Sequence, residues 1–484
     1  MGVARVVALL LNVWAIGKYV SWMGNEGWGA IVIIIVLVQA CQTVADLGLS
    51  VGTINALVKS TQRGDQASSN RVLATHTGIS LLVSLIIVIP FSICFSTGYI
   101  KSVHQDLFGG LFYGITLGLF VLVLITNGQS AALVSRGKYS FIALMSMIGS
   151  FINTGVSLWL VYQYRHPWGF MAGNFVATLF TAFVYERKIR QLGYGGQRVG
   201  LFWSEFADVT AYVKRSWVSN SAQFASGLDR LVLNGVVGQA RLGVYDQAVR
   251  IPGVLGSTMP LAQVFPAEIA RVNMEGPKAL KDAYWKVFPA TLALLMAVLL
   301  IPSAFSESYL RLVFKSYDPV MATLFVLAGI DAAYAAYGSL FSVFANATGK
   351  PHITAPFVWF MLLGSALLAY PAATMFGLIG VAGARVLLQL TQFYVIEWAT
   401  KKYLIPDLNL RLALTKKLTI SIVAFAFWAI GYQIFLALHL QNSPFVSLGI
   451  SAILSYLFIL VLVATRVVRL PSRLEQTLPK FARH

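Results

Sequence analysis

Charge is what this 484-residue chain has least of: Asp, Glu, Lys and Arg together make up 11% of it, where a soluble domain carries about a quarter. With 57% hydrophobic residues and a mean hydropathy of +0.73, a soluble multidomain organisation is excluded, and the chain reads as an integral membrane protein. Cysteine is nearly absent. Cys41 and Cys94 both lie in apolar runs, so neither a disulfide framework nor a cysteine metal site can be built. The six histidines (76, 104, 166, 352, 439, 484) show no metal-ligand spacing. Gly193-Tyr194-Gly195-Gly196 lacks a preceding strand and dinucleotide spacing, and no Gly-Lys-Ser/Thr phosphate loop occurs. No cofactor, no metal and no direct use of ATP are expected.

What is present is a series of apolar runs about 20 residues long, the length a membrane helix needs. The pattern predicts an all-α polytopic protein of about fourteen spans, at 3–22, 28–53, 75–98, 107–132, 140–162, 166–186, 216–237, 243–267, 287–306, 320–346, 353–374, 376–399, 417–438 and 445–466. The turn near Phe376 is short enough to hide a miscount. Arg5 followed by apolar residues resembles a signal peptide, but no small-residue cleavage pattern precedes Trp28. The first span is expected to be retained.

The formal charge is +18, from 36 Lys and Arg against 18 Asp and Glu. With the N-terminus inside, 27 of the 36 basic residues fall on cytoplasmic loops and tails, among them Lys59, Arg71, Arg136, Lys138, Lys401 and Lys402. Five fall outside: Lys101, Arg165, Arg241, Arg311 and Lys315. That asymmetry satisfies the positive-inside rule and predicts both termini cytoplasmic. The basic excess is then an orientation signal and a contact with anionic membrane lipids. Nucleic acid is not needed as a partner.

An internal duplication is expected from three matches with one slowly drifting offset. The turn 24–29 (Gly-Asn-Glu-Gly-Trp-Gly) matches 238–243 (Gly-Gln-Ala-Arg-Leu-Gly), Gly137-Lys138 matches Gly349-Lys350, and Val184-Tyr185-Glu186 matches Val395-Ile396-Glu397. Six spans per copy is an even number, so the copies are parallel repeats about an axis along the membrane normal. The expected organisation is a six-helix bundle over 1–190, a cytoplasmic linker over 191–212, in which 201–213 reads either as an interfacial amphipathic helix or as a solvated connector, and a second six-helix bundle over 213–402. Two further helices and a basic tail occupy 403–484. Two bundles meeting at a seam suit alternating access.

Three segments carry a family likeness: 24–49 ending in Ala45-Asp46-Leu47-Gly48-Leu49; Leu228-Asp229-Arg230 continuing through Gly238, Gly243-Val244-Tyr245, Ala248 and Arg250; and Asn346-Ala347-Thr348-Gly349-Lys350-Pro351. They resemble the polysaccharide transporters of the multidrug/oligosaccharidyl-lipid/polysaccharide (MOP) flippase superfamily, with the Wzx-type flippases most alike. The resemblance implies a V-shaped cavity between two lobes, lined by spans one, two, seven and eight. It further implies movement of a polyprenyl-diphosphate-linked oligosaccharide to the outer leaflet of a bacterial inner membrane for envelope or exopolysaccharide synthesis, lipopolysaccharide included, alongside polysaccharide-assembly proteins.

An ionisable residue at mid-membrane costs roughly 2.5–3.5 kcal/mol, so each asks for a partner, water or a function. The basic ones are Lys18, Arg230, Arg250 and Arg385, and the acidic ones Asp46, Asp229, Asp246 and Asp331. Arg250, Arg230 and Lys18 are the candidates to bind the diphosphate; Asp229, Asp246 and Asp331 are the candidates to exchange a proton or sodium ion. The competing structural reading makes Asp229, Arg230, Asp246 and Arg250 a neutralised cluster that lets a polar hairpin insert, and lets Lys18 snorkel to the headgroups. Arg385 is expected to pair between helices, and Asp46 to serve a helix end. The alternative functions are a cation-coupled multidrug exporter of the same superfamily and, below it, a membrane-embedded polymerase. The last would need a large outer loop, and the longest here, near 307–319, is about a dozen residues. The chain is therefore expected not to be an enzyme.

Overall fold

A computed structural model describes residues 2–46, 49–96, 107–194, 199–210, 227, 229–258, 269, 272–273, 275–314, 317–348 and 350–468. Among them the regular structure is helical throughout, with no strand. Among the described residues nine helices are long and apolar enough to cross a membrane. Large apolar side chains on them are exposed, among them Phe183, Leu367 and Met375, as lipid contact demands and water forbids.

Two of these nine each account for two expected spans. The Gly2–Asp46 helix is broken at Gly24, whose φ of 74° and ψ of 175° leave the helical region. The rings of Tyr19 and Trp28 stack across the break with centroids 6.1 Å apart, whereas nine residues of straight helix would separate them by roughly 13 Å. The chain therefore folds back at Gly24. Gly377 (φ 59°, ψ −138°) does the same within Ala355–Ala399, where a Cβ on Gly380 would come 2.2 Å from the carbonyl oxygen of Ala372. Positive φ at one residue makes each turn, and glycine adopts it without a Cβ clash. The expected third span lies on the Gln66–Ser96 helix and the eighth on Gln239–Thr258. Most of the seventh lies outside the described residues.

The chain divides into two compact units, 1–243 and 244–484. The linker expected at 191–212 falls inside the first. Its helix, Trp203–Thr210, is docked: Arg71 Nε donates to Glu205 Oε1 at 2.8 Å, and the Phe202 N–H donates to Thr75 Oγ1 at 3.3 Å. Burial works to raise the Glu205 carboxyl, but hydrogen bonds from Ser204, Arg71 and Ser68 and the guanidinium charge outweigh it and hold it below the ordinary carboxylate range.

In the second unit the Pro277–Leu295 helix starts with Gly276 before Pro277, the residue that tolerates a missing N–H in a first turn. It sets Phe288 at the centre of an aromatic core, 4.6 Å from Tyr284, 5.4 Å from Tyr337 and 4.8 Å from Phe344 between ring centroids. A π-helical turn, Met296–Leu300, follows. It frees a carbonyl: Ser455 Oγ, from the last helix, donates to Ala297 O at 2.7 Å. The two C-terminal helices, Leu410–Ala437 and Pro444–Ala464, are joined to this unit by further hydroxyls, with Ser421 and Tyr334 oxygens 2.9 Å apart and Ser447 bonded to Ser308 at 3.0 Å. Lipid offers no hydrophobic gradient between helices, so packing and such polar contacts must hold them.

The units repeat the same backbone details at the offsets read from the sequence. Lys138 N–H bonds the carbonyl of Leu133 at 3.0 Å, and Lys350 that of Ala345 at 2.8 Å. Tyr194 bonds Ile189 at 3.2 Å, and Ile405 bonds Thr400 at 2.8 Å. Within the first unit, Gly24 and Gly238, also matched in the sequence, both take positive φ, at 74° and 84°.

Candidate functional site

The candidate residues sit where the apolar helices carry their charges. Asp246 and Arg250 occupy successive turns of Gln239–Thr258, so their side chains share a face. Arg250 Nε donates to Asp246 Oδ2 at 2.7 Å, with Asp246 completely buried and Arg250 about a quarter exposed. Pro252 lies two residues on. It has no N–H for the carbonyl of Ala248, so the backbone beside the pair carries an acceptor that the helix itself cannot satisfy.

Arg230 and Asp229 are neighbours in sequence, with a guanidinium nitrogen 3.9 Å from a carboxylate oxygen; Asp229 is buried and Arg230 a fifth exposed. Lys18 lies half-buried with its ammonium 5.5 Å from the centre of the exposed Trp14 ring, a cation–π contact at the end of a stem that runs along the helix. Asp331 is joined by Arg385 NH2 at 2.9 Å. Asp331 is therefore an ion-pair partner, and Arg385 is what pairs with it between helices. Its second oxygen, Oδ1, is buried with no hydrogen-bond partner among the described residues. Asp46 accepts from the Ser50 N–H at 3.3 Å and from the Ser50 hydroxyl, a helix-end role.

One buried cluster escapes sequence reasoning. Lys417, the first residue of the expected span 417–438, is completely buried in the second unit, its ammonium donating to Glu397 Oε1 and to the Tyr284 hydroxyl. Tyr284 and Tyr337 both donate to the same carboxylate, and the ammonium lies 4.5 to 5.2 Å from the rings of Tyr284, Tyr337 and Phe288. Glu397 is the repeat partner of Glu186, which in the first unit accepts from Gln129 at 3.3 Å and Arg190 at 2.9 Å. The Val-Ile-Glu match was the signal for the acid; nothing local marked Lys417 as its base. His76, also buried, has Nδ1 2.8 Å from Thr53 Oγ1 and Nε2 3.4 Å from Leu124 O. Among the described residues no group of His, Cys, Asp and Glu could hold a metal ion.

Apolar helices broken at glycines, with ionisable residues paired inside them, define a polytopic membrane fold, and solved structures share its course. A lipid II flippase, MurJ, in an inward closed conformation superimposes with a TM-score of 0.72 at 12% identity, over 96% of this chain and 99% of that one. An inward-facing multidrug resistance MATE family transporter of the MOP superfamily gives 0.60 at 18% identity, over 84% of this chain and 100% of that one. A MOP superfamily transporter from Pyrococcus furiosus Vc1 gives 0.57 at 16%, over 83% and 94%. The fold is the one that these structures share. None of the curated proteins matches the chain in sequence. Residues 23–317 match the model of the polysaccharide biosynthesis protein family, and the chain belongs to that family.

Proposed function

We propose that this protein is a flippase that moves a polyprenyl-diphosphate-linked oligosaccharide from the cytoplasmic to the outer leaflet of a bacterial inner membrane by alternating access. The carrying observation is that a member of a polysaccharide biosynthesis family follows the course of a lipid II flippase over 96% of its length. An inward-facing MATE family transporter covers 84% of the chain, against 96% for MurJ.

The chemistry agrees. A sugar diphosphate cannot cross hydrocarbon unaided, because each charge at mid-membrane costs several kcal/mol, about 2.5–3.5 on the insertion scale. Its lipid tail can stay in the bilayer. Arg250 of the second unit binds the diphosphate, whose oxygens replace the Asp246 carboxylate on the guanidinium; Arg230 and Lys18, both in the first unit, are the other basic candidates. Asp246, Asp229 and Asp331 are the acids that would exchange a proton or sodium ion to couple transport to a gradient. Anionic lipids face the basic cytoplasmic loops, both termini are cytoplasmic, and no enzymatic step is required.

The test is reconstitution of the full chain with a fluorescent polyprenyl-diphosphate oligosaccharide, scoring leaflet transfer with and without proton or sodium gradients. Export of a cationic dye with no lipid transfer would replace this reading with the multidrug one.

A further inference from the structure

We propose that an aromatic cavity in the second unit binds one acyl chain of an anionic glycerophospholipid, whose phosphate is held by Lys401 and Lys402. The placing rests on the positive-inside reading, which puts the 349–354 and 400–409 connections at the cytoplasmic face. It does not rest on the flippase reading.

The cavity, about 520 Å³, lies between the start and the end of the Ala355–Ala399 hairpin, walled by Ile353, Phe357, Phe360, Val395, Trp398 and Tyr403. That volume is within the roughly 300–1,000 Å³ of ligand pockets. Its rear is fixed: Phe357 is buried and meets Phe341 edge-on at 5.1 Å. Its mouth is open: Phe360, Trp398 and Tyr403 are 38%, 43% and 38% exposed.

The helix does not simply end there. Thr400–Leu404 forms a π-helical turn made of Thr-Lys-Lys-Tyr-Leu, a widening frequent at functional positions. It brings Tyr403 to the rim, square to Trp398 at 6.2 Å. The Lys402 ammonium stands 4.7 Å from the Trp398 ring and 5.2 Å from that of Tyr403. Lys350 clamps the same turn, its Nζ donating to Tyr403 O at 2.6 Å. Every ion pair among the described residues uses some other base.

An apolar hole ringed by interfacial aromatics, with two exposed lysines at its lip, fits an acyl chain below a negatively charged headgroup. A zwitterionic lipid would bring its own ammonium against Lys401 and Lys402. The substrate's polyprenyl tail is the competing occupant, but none of Arg250, Arg230 and Lys18 lies on these elements.

The experiment places the full chain in phosphatidylcholine nanodiscs containing phosphatidylglycerol with a photoreactive acyl chain, and maps the labelled peptides. The expected result is labelling at Phe357–Phe360 and Val395–Tyr403, at least fivefold weaker with a phosphatidylcholine probe at equal mole fraction. Lys401→Glu/Lys402→Glu should cut it about tenfold, each lysine contributing severalfold near a charged surface, and Val395→Trp should block it by filling the hole. Equal labelling by both lipids, labelling unchanged in these exposed-site variants, or displacement by a trace of polyprenyl phosphate would overturn the proposal. The readout needs no transport, so a chain that flips nothing still reports on this site.

Discussion

Gly29 lies so near Gln239 that a Cβ on the glycine would stand 2.1 Å from the Gln239 carbonyl oxygen. The relation is reciprocal. A Cβ on Gly243 would stand 2.1 Å from the carbonyl oxygen of Asn25, and 29 and 243, like 25 and 239, are partners at an offset of 214. The Gln239 amide also donates to Glu26 O at 2.9 Å. The turns 24–29 and 238–243, matched in sequence at that offset, thus exchange the same backbone contact within the first unit.

Because the opposing atoms are backbone, they cannot swing aside. Gly29→Leu or Gly243→Leu should destabilise the protein by about 1–3 kcal/mol, the usual cost of overpacking, and reduce transport. Gly114→Ala, with nothing within 4 Å of the added atom, should be silent. Thermal unfolding in detergent checks this, and a Gly29→Leu protein of normal stability would refute the close approach.

Arg250 is expected to be a binding residue more than a structural one. Arg250→Ala should accumulate and fold normally yet lose at least tenfold in translocation, a buried charge–phosphate contact being worth that much. Should it fail to accumulate while Asp246→Ala/Arg250→Ala is recovered, the structural ion-pair reading is the right one.

The Lys417–Glu397 pair predicts strong non-additivity. Lys417→Met leaves a buried carboxylate without its cation and should cost about 3–5 kcal/mol, whereas Lys417→Met/Glu397→Met should recover most of that. A double-mutant cycle by thermal unfolding measures the coupling, and a coupling near zero would mean that the pair does not join the Leu410–Ala437 helix to the second unit.

Glu205 gives a pH prediction. Its carboxyl is held below its ordinary value of 4.5, so the folded state binds its proton less tightly than the unfolded one. The stabilisation is present above about pH 4.5 and is lost as pH falls through the depressed folded value. Limited proteolysis within 199–210 should therefore accelerate below pH 4, and Glu205→Gln should show the acid behaviour already at pH 7. A pH-independent cleavage rate from 7 to 3 would contradict the docking.

How much was legible depended on the range of each interaction. The breaks at Gly24 and Gly377 could be read because a membrane helix has a fixed length and glycine marks where it reverses. The Asp246–Arg250 pair could be read because four residues return a helix to the same face. Arg385 was expected to find a partner on another helix, but its partner, Asp331, is 54 residues away, a distance no periodicity encodes. Lys417 stands at the very start of the expected span 417–438, and nothing within that run names its partners. Only the assembled unit brings Glu397, Tyr284 and Tyr337 around it. The 191–212 segment looked like a free connector because its tie, Arg71 to Glu205, spans 134 residues.

The central claim is tested most directly by leaflet transfer of a fluorescent polyprenyl-diphosphate oligosaccharide in proteoliposomes of the purified chain. The account predicts transfer well above that in protein-free vesicles, dependent on an ion gradient and lost with Arg250→Ala. Transfer no faster than in empty vesicles under every gradient, by a folded protein, would contradict it.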